Sequence, residues 1–274
     1  MIPDLKSPES NFKSEKIFKH RGSGFFVRWN DDLYIITARH VADITNDLIG
    51  IIRLKNKETN EIKLFKISLP RNKWAFHPNS ESNKYCSVDI AAMKINQLEN
   101  YEIVAFVYNK DFLNKNYIDK MVNQAFDSKS EYILQSYNWL SDWFSSEFKN
   151  RFTRLTPALM IIENKLYQQK NLENKVLNAS NNKFFEEETL FVKGNIFHGN
   201  SGAPVIDLFP FENPKNKLFG IIVASEEDKI QNNILLLEWV VIEPVYRIIE
   251  TIEYLNNKFK EKSNYNFWSP LDLK

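Results

Sequence analysis

Cysteine and long apolar runs are the two features most clearly missing from the sequence. Cys86 is the one cysteine among 274 residues, so no disulfide can form within the chain. A protein that does without disulfides is typical of a reducing compartment, and we expect a cytoplasmic location. No apolar run approaches the roughly 20 residues needed to cross a bilayer. The first residues are polar and charged, unlike the apolar core of a secretory signal.

The sequence also lacks an excess of charge of either sign. It has 36 basic and 35 acidic residues, which gives a formal net charge of +1. This balance gives no electrostatic reason to expect nucleic acid or an anionic membrane as a partner. His20, His77 and Cys86 do not have the spacing of a metal site, and we expect neither a metal nor another cofactor.

Glycine is scarce, with seven in the whole chain, and its placement is informative. Two glycines precede an apolar segment near residue 25, three more cluster between 194 and 202, and Gly220 opens another apolar segment. A chain that uses glycine so sparingly is expected to keep it where the backbone needs positive φ or close approach. The pattern therefore indicates two regions of interest before any motif is considered.

Short β-strands dominate the pattern of apolar residues. The segment 24–29, a turn signal at 30–32 and the segment 33–37 together predict a hairpin. Further strands are predicted at 48–54, 62–69, 90–95, 190–192, 203–208 and 218–224. This spacing favours a sandwich or a barrel over a βαβ fold.

Two segments differ from this strand pattern. Apolar residues at helical spacing predict an amphipathic C-terminal helix over about 244–259, which we interpret as core packing. The middle of the chain is interpreted as partly helical over 110–127 and as a polar loop over 165–183. Aromatic residues between 137 and 144 show no clear period.

The loop around Ser201 carries the strongest chemical signal. A serine that attacks a carbonyl needs a base for its proton and donors for the oxyanion that forms. Gly199, two positions earlier, lets the backbone direct its N–H toward the same point as the N–H of Ser201. His40, at the end of the strand 35–39, is the candidate base, and Asp89, at the start of the strand 90–95, is the candidate residue that orients it.

Chain order separates the catalytic families. No histidine follows Ser201 and residue 203 is alanine, which excludes the α/β-hydrolase arrangement. The order histidine, aspartate, serine is that of chymotrypsin. Each residue also has an ordinary alternative: Ser201 as a turn serine, His40 as a strand-end histidine and Asp89 as a turn aspartate. His198 is interpreted as a residue that packs or hydrogen-bonds locally, rather than as a second base.

Three motifs in this order resemble those of trypsin-like serine peptidases. Residues 37–42 (TARHVA) resemble the family's histidine motif, 89–91 (DIA) its aspartate motif and 199–204 (GNSGAP) its serine motif. Residues 22–27 and 218–222 are similar to core strands of the bacterial branch of the family. The resemblance covers roughly residues 22 to 250.

The resemblance implies an all-β fold of two six-stranded antiparallel barrels, chymotrypsin-like, with the triad in the cleft between them. The expected units are 1–105, carrying His40 and Asp89; 106–240, carrying Ser201 and a partly helical insertion at about 110–185; and a C-terminal helix and tail at 241–274. The segment Val223, Ala224 and Ser225 is expected to pair with an extended substrate backbone.

Specificity and regulation follow from the same resemblance. Asn195, six positions before the serine, occupies the expected base of the specificity pocket and lacks the negative charge that favours arginine or lysine, so a neutral P1 residue is expected. No activation-cleavage motif occurs near the start, so another means of ordering the oxyanion loop, such as a protein activator, is expected. The predicted function is a serine endopeptidase acting on protein or peptide substrates. The alternative is a catalytically silent scaffold that serves as a binding or regulatory module.

Overall fold

The computed structural model describes residues 22–44, 47–80, 88–104, 107–109, 114–116, 118–119, 132–138, 156–162, 166–168, 188–193, 200–207, 217–226, 239–258 and 267–270. The strands in the first half of the chain are β1 Phe25–Trp29, β2 Asp32–Ala38, β3 Leu48–Asn56, β4 Ile62–Leu69, β5 Ala75–Phe76, β6 Ile90–Ile95, β7 Tyr101–Ile103, β8 Val107–Tyr108 and β9 Tyr132–Asn138. Those in the second half are β10 Thr156–Ile162, β11 Leu166–Gln168, β12 Leu190–Lys193, β13 Pro204–Asp207, β14 Lys217–Glu226, β15 Trp239–Pro244 and β16 Trp268–Pro270. Helix α1 spans Arg39–Ala42 and helix α2 spans Val245–Lys258.

The predicted N-terminal hairpin is confirmed. Strands β1 and β2 pair antiparallel, with Trp29 opposite Asp32, so the loop contains only two residues. Asn30 and Asp31 have φ values of 48° and 67°. Two consecutive positive φ values are those of a type I′ turn, whose twist matches the flanking strands and which asparagine and aspartate tolerate well.

Two sheets form the first part of the fold. One has the order β5-β6-β2-β1-β8 and the other has the order β16-β4-β3-β7. Apolar side chains from both sheets, including Phe26, Phe65, Ile67, Met93 and Trp268, form a common buried cluster. The C-terminal strand β16 therefore belongs to this part of the molecule, where it pairs with β4.

The third sheet has the order β10-β9-β13-β14-β15-β12-β11. Its buried side chains, among them Ile222 and Val241, belong to the same cluster as Val27 and Ile36 of the first hairpin. The five-stranded and seven-stranded sheets thus share one hydrophobic core. Burial of apolar surface at roughly 25 cal/mol per Å² is the main source of stability for such a chain without disulfides.

Helix α2 occupies the position that the helical spacing predicts. Its buried face includes Ile248, Ile252 and Leu255, and it packs against β5, β6 and β14. The hydroxyl of Tyr34 donates a 2.9 Å hydrogen bond to Asn256 Oδ1, which ties the end of the helix to β2. Among the helices that the structure describes, none is long and apolar enough to cross a membrane.

The mainly β-strand fold agrees with the all-β prediction, but two closed six-stranded barrels are not confirmed. The described strands form open sheets of five, four and seven strands. The polar loop predicted over 165–183 is wrong at its start, because Leu166–Gln168 forms β11 and pairs with β12. An edge strand of three residues is too short to give a recognisable periodic pattern. The proposed division at 105 and 240 stays a prediction.

Several other predictions concern residues that are only partly described. Within 110–127, residues 115, 116, 118 and 119 are helical, and the Ile118 N–H donates to Asn114 C=O at 3.1 Å. Within the predicted insertion at 110–185, strands β9, β10 and β11 belong to the seven-stranded sheet. Most of the aromatic segment 137–144 lies outside the described residues.

Candidate active site

His40 lies in α1, the single helical turn that directly follows β2. Strand β6 pairs with β2 so that Ala38 lies opposite Ile90. This register brings the residue after Ala38 close to the residue before Ile90, and the N–H of Arg39 donates to the C=O of Asp89 at 3.1 Å. Two neighbouring strand ends therefore bring His40 and Asp89 together, although 49 positions separate them in the sequence.

The Asp89 carboxylate accepts two hydrogen bonds from His40. Oδ1 lies 2.9 Å from the His40 backbone N, and Oδ2 lies 2.6 Å from the ring Nδ1. A carboxylate acceptor at Nδ1 favours the tautomer that carries its proton there, which leaves Nε2 with a lone pair. The Asp89 side chain is 18% exposed and that of His40 is 41% exposed, so the imidazole is open to solvent while the carboxylate is mostly shielded.

Ser201 lies in a tight turn just before β13. The N–H of Ala203 donates to the C=O of Asn200 at 2.8 Å, which places Ser201 and Gly202 at the two central positions. Gly202 has φ +87°, the value that a type II turn requires at its third residue. The sequence therefore uses one of its few glycines where only glycine adopts the backbone conformation without strain.

The turn is fastened to the chain ahead of β1. The N–H of Ser23 donates to the C=O of Ser201 at 2.8 Å, and the N–H of Gly202 donates to the C=O of Ile222 at 2.7 Å. A Cβ at Gly202 would lie 2.1 Å from the Ser23 carbonyl oxygen and 2.4 Å from Thr37 Oγ1. The hydroxyl of Thr37 itself donates to the Ser23 carbonyl at 2.7 Å. Contacts with Ser23, Thr37 and Ile222 thus fix the turn that carries the half-buried Ser201.

Gly22 brings the Ser201 turn near the helix that carries His40. A Cβ at Gly22 would lie 2.7 Å from the Ser201 carbonyl oxygen and 2.6 Å from a methyl group of Val41. Within the part of the chain that the structure describes, no hydrogen bond joins the Ser201 hydroxyl to the His40 ring. The structure therefore joins His40 to Asp89 directly, whereas the Ser201 turn and Val41 of helix α1 have Gly22 as a common neighbour.

The remaining predicted site residues fall into two groups. Gly199, Asn195 and His198 lie outside the described residues, so the Gly199 contribution to an oxyanion hole and the Asn195 pocket base stay predictions. Val223 and Ala224 lie on β14; Val223 is buried and Ala224 is half-buried.

Strand β14 extends past the point where its pairing with β13 ends, on the side where the Ser201 turn lies. Pairing of β13 with β14 ends at Ile221, and the last bonds join Ile222 to Gly202 and Ala203. On the other side, the pairing of β14 with β15 continues through Ala224 and Ser225 after a bulge. Among the described strands, none pairs with the β13-facing edge beyond Ile222.

Sequence reasoning missed the residues that lie behind the His40–Asp89 pair. In the sequence His77 is one of four histidines and lacks the spacing of a metal ligand, yet in the structure its ring is buried and Nε2 lies 2.9 Å from Oε2 of Glu250 on α2. These two residues are 173 positions apart, so no local pattern could have joined them. In the described part of the chain, no group of three histidine, cysteine, aspartate or glutamate side chains could hold a metal ion.

Comparison with known proteins assigns no family to this chain. No protein-family model matches the sequence, and no curated protein matches it. Among solved structures, the chain is similar to the Drosophila Grass clip serine protease of the Toll pathway. The identity is 15% and the TM-score is 0.46, over 93% of this chain and 77% of that chain. We base no conclusion on a likeness at this level, and the resemblance to the bacterial branch stays a prediction.

Proposed function

We propose that this chain is a serine endopeptidase of the trypsin-like type. In the proposal, Ser201 is the nucleophile, His40 its base and Asp89 the residue that orients His40. The observation that carries the proposal is the pair of hydrogen bonds from His40 to Asp89, at 2.6 Å from the ring and 2.9 Å from the backbone. A histidine fixed at both its ring and its backbone by one shielded carboxylate is held as a general base must be.

The proposed reaction begins when Nε2 of His40 removes the Ser201 hydroxyl proton as Oγ attacks the peptide carbonyl. The tetrahedral oxyanion is bound by the N–H groups of Gly199 and Ser201. The protonated His40 then gives its proton to the leaving amine, which produces an acyl-enzyme and the first product. Water then attacks the carbonyl of the acyl-enzyme, with His40 again as the base, and the second product leaves as a carboxylic acid, which regenerates the Ser201 hydroxyl. This chemistry needs no cofactor.

In the proposal, an extended peptide binds along the β14 edge beyond Ile222, where none of the described strands pairs. Val223, Ala224 and Ser225 follow directly after the bonds that join Ile222 to the Ser201 turn. A substrate strand added there would hydrogen-bond through its backbone beside the nucleophile. We propose a neutral P1 residue because Asn195 brings no negative charge to the pocket. The two-barrel arrangement, the cytoplasmic location and a protein activator belong to the same proposal.

Digestion of a diverse peptide library, analysed by mass spectrometry, tests this function. We expect the native chain to produce new termini in the library peptides, with a neutral residue at P1. We expect Ser201→Ala and His40→Ala to produce none. Cleavage mainly after arginine or lysine would contradict the predicted pocket. Termini that persist in both variants would contradict the assigned residues. A folded native chain that cleaves nothing would favour a silent binding or regulatory scaffold.

A further inference from the structure

A frame of hydrogen bonds links helix α2 to the chain neighbours of His40 and Asp89, and it begins at His77. The His77 side chain is 3% exposed, and its Nε2 lies 2.9 Å from Oε2 of Glu250 on helix α2. The N–H of Asn79 donates to His77 Nδ1 at 3.2 Å. Because Nδ1 is an acceptor, the ring proton lies on Nε2 and is donated to the Glu250 carboxylate.

The backbone of His77 extends this link in two directions. Its N–H donates to the C=O of Ile90 at 3.1 Å, and its C=O accepts the N–H of Ser80 at 2.8 Å and the Ser80 hydroxyl at 2.6 Å. The C=O of Ser80 in turn accepts a hydrogen bond from the Arg39 guanidinium. The frame therefore reaches Ile90, which follows Asp89, and Arg39, which precedes the histidine base.

We propose that His77 and Glu250 are positioning residues for the His40–Asp89 pair, an inference that rests on the proposed function. Their hydrogen bond couples helix α2 to the loop 77–80, and the loop contacts one neighbour of each member of the pair. Catalytic groups must be held to within a fraction of an ångström, so slack in this loop reduces the reactivity of the base without removing it.

Other contacts limit the size of the effect. Arg39 also lies 3.6 Å from the Asp43 carboxylate and 5.2 Å from the centre of the Phe76 ring. These contacts persist when the bond to Glu250 is lost. We therefore expect a loss of about tenfold, below the roughly 100-fold that a 1 Å misplacement typically produces.

Fluorophosphonate labelling of the full chain separates reactivity from binding. In Glu250→Ala we expect the maximal labelling rate constant to fall about tenfold with the half-saturating probe concentration unchanged. Glu250→Gln keeps an oxygen acceptor for His77 and should restore the rate to within about twofold. Glu253→Ala, at an exposed position on the same helix, is the control and should match the native chain. Equal rates for native and Glu250→Ala would overturn the inference.

Two substitutions at His77 separate its two hydrogen bonds. Glutamine is long enough for its amide N–H to reach Glu250, whereas asparagine can accept only the bond from Asn79. We therefore expect His77→Gln to keep more reactivity than His77→Asn at equal folded fraction, as judged by circular dichroism. The opposite order would contradict a role that acts through Glu250.

A proton NMR signal keeps the inference testable if the chain proves inactive. The Nδ1 proton between His40 and Asp89 should give a downfield resonance in ¹⁵N-histidine-labelled protein. We expect this resonance to weaken in Glu250→Ala and to persist in Glu250→Gln. If the resonance changes in this way in a chain that does not react with the fluorophosphonate probe, the proposed function is contradicted and the positioning role is supported. An unchanged resonance in Glu250→Ala would overturn the positioning role, whether or not the chain labels.

Discussion

Replacing Asp89 with asparagine should abolish most of the reactivity of Ser201 while leaving the fold intact. In the native chain the carboxylate accepts both N–H groups of His40. An asparagine has one acceptor oxygen, and if that oxygen keeps the backbone bond, its NH₂ group faces the ring Nδ1. Nδ1 then becomes an acceptor and the ring proton moves to Nε2, where it blocks uptake of the Ser201 proton.

The expected size of the effect follows from these contacts. A hydrogen bond to a charged group contributes about 1.5–3 kcal/mol, and we expect that loss in the free energy of unfolding. The loss of reactivity is larger because, in the wrong tautomer, Nε2 of His40 is already protonated and cannot accept the Ser201 proton. In serine peptidase triads the same exchange lowers kcat about 10⁴-fold, equivalent to about 5.5 kcal/mol. We therefore expect fluorophosphonate labelling of Asp89→Asn to slow by about 10³- to 10⁴-fold.

Asp43→Asn is a matched control for this measurement. Asp43 is a nearby carboxylate that lies 2.8 Å from Arg71 and 3.6 Å from Arg39, and among the described residues no hydrogen bond or ion pair joins it to the His40 ring. The variant changes the net charge equally and should label within about threefold of the native rate. Labelling of Asp89→Asn within tenfold of the native rate would refute the reasoning, as would an equal loss in both variants.

Two further predictions concern stability. Gly202→Ala should lower the free energy of unfolding by about 2–4 kcal/mol in guanidinium titrations, because the positive φ of Gly202 and its contact with the Ser23 carbonyl both exclude a Cβ. The control is Gly24→Ala, where an added Cβ would have no contact shorter than 3.0 Å and the loss should be less than about 1 kcal/mol. Equal losses in the two variants would contradict the turn geometry. Burial raises the pKa of Glu188, but hydrogen bonds from Lys115 and Tyr246 outweigh it and hold the pKa below its usual value. The free energy of unfolding of the native chain should therefore exceed that of Glu188→Gln above about pH 4.3, and the difference should shrink as the pH falls through the lowered pKa of Glu188 in the folded state. A difference that stays constant from pH 7 to pH 3 would contradict this prediction.

Local sequence patterns were sufficient for the elements near the site. Alternating apolar residues and the Asn30–Asp31 turn predict the first hairpin, and helical spacing predicts α2, because each depends on residues close together in the chain. The pairing of His40 with Asp89 could be anticipated only through motif order. Its geometry depends on the register of β2 with β6, with Ala38 opposite Ile90.

Contacts between distant segments could not be predicted in this way. Strand β16 pairs with β4, so Trp268 lies opposite Ile67 although about 200 positions separate them. The three residues of β16 carry no periodic signal of their own, and burial of Trp268 against the first sheets decides where they lie. The bond between His77 and Glu250 is of the same kind, because it depends on how α2 packs against β5 and β6.

The most direct test of the proposed activity is the intact mass of the chain after reaction with a fluorophosphonate probe. We predict one adduct on the native chain, which peptide mapping locates at Ser201, and no adduct on Ser201→Ala. A competent nucleophile, base and oxyanion hole are all needed for this reaction. A native chain that is folded and gains no adduct, or a Ser201→Ala variant that gains the same adduct, would contradict the assignment of Ser201 as the nucleophile of a serine peptidase.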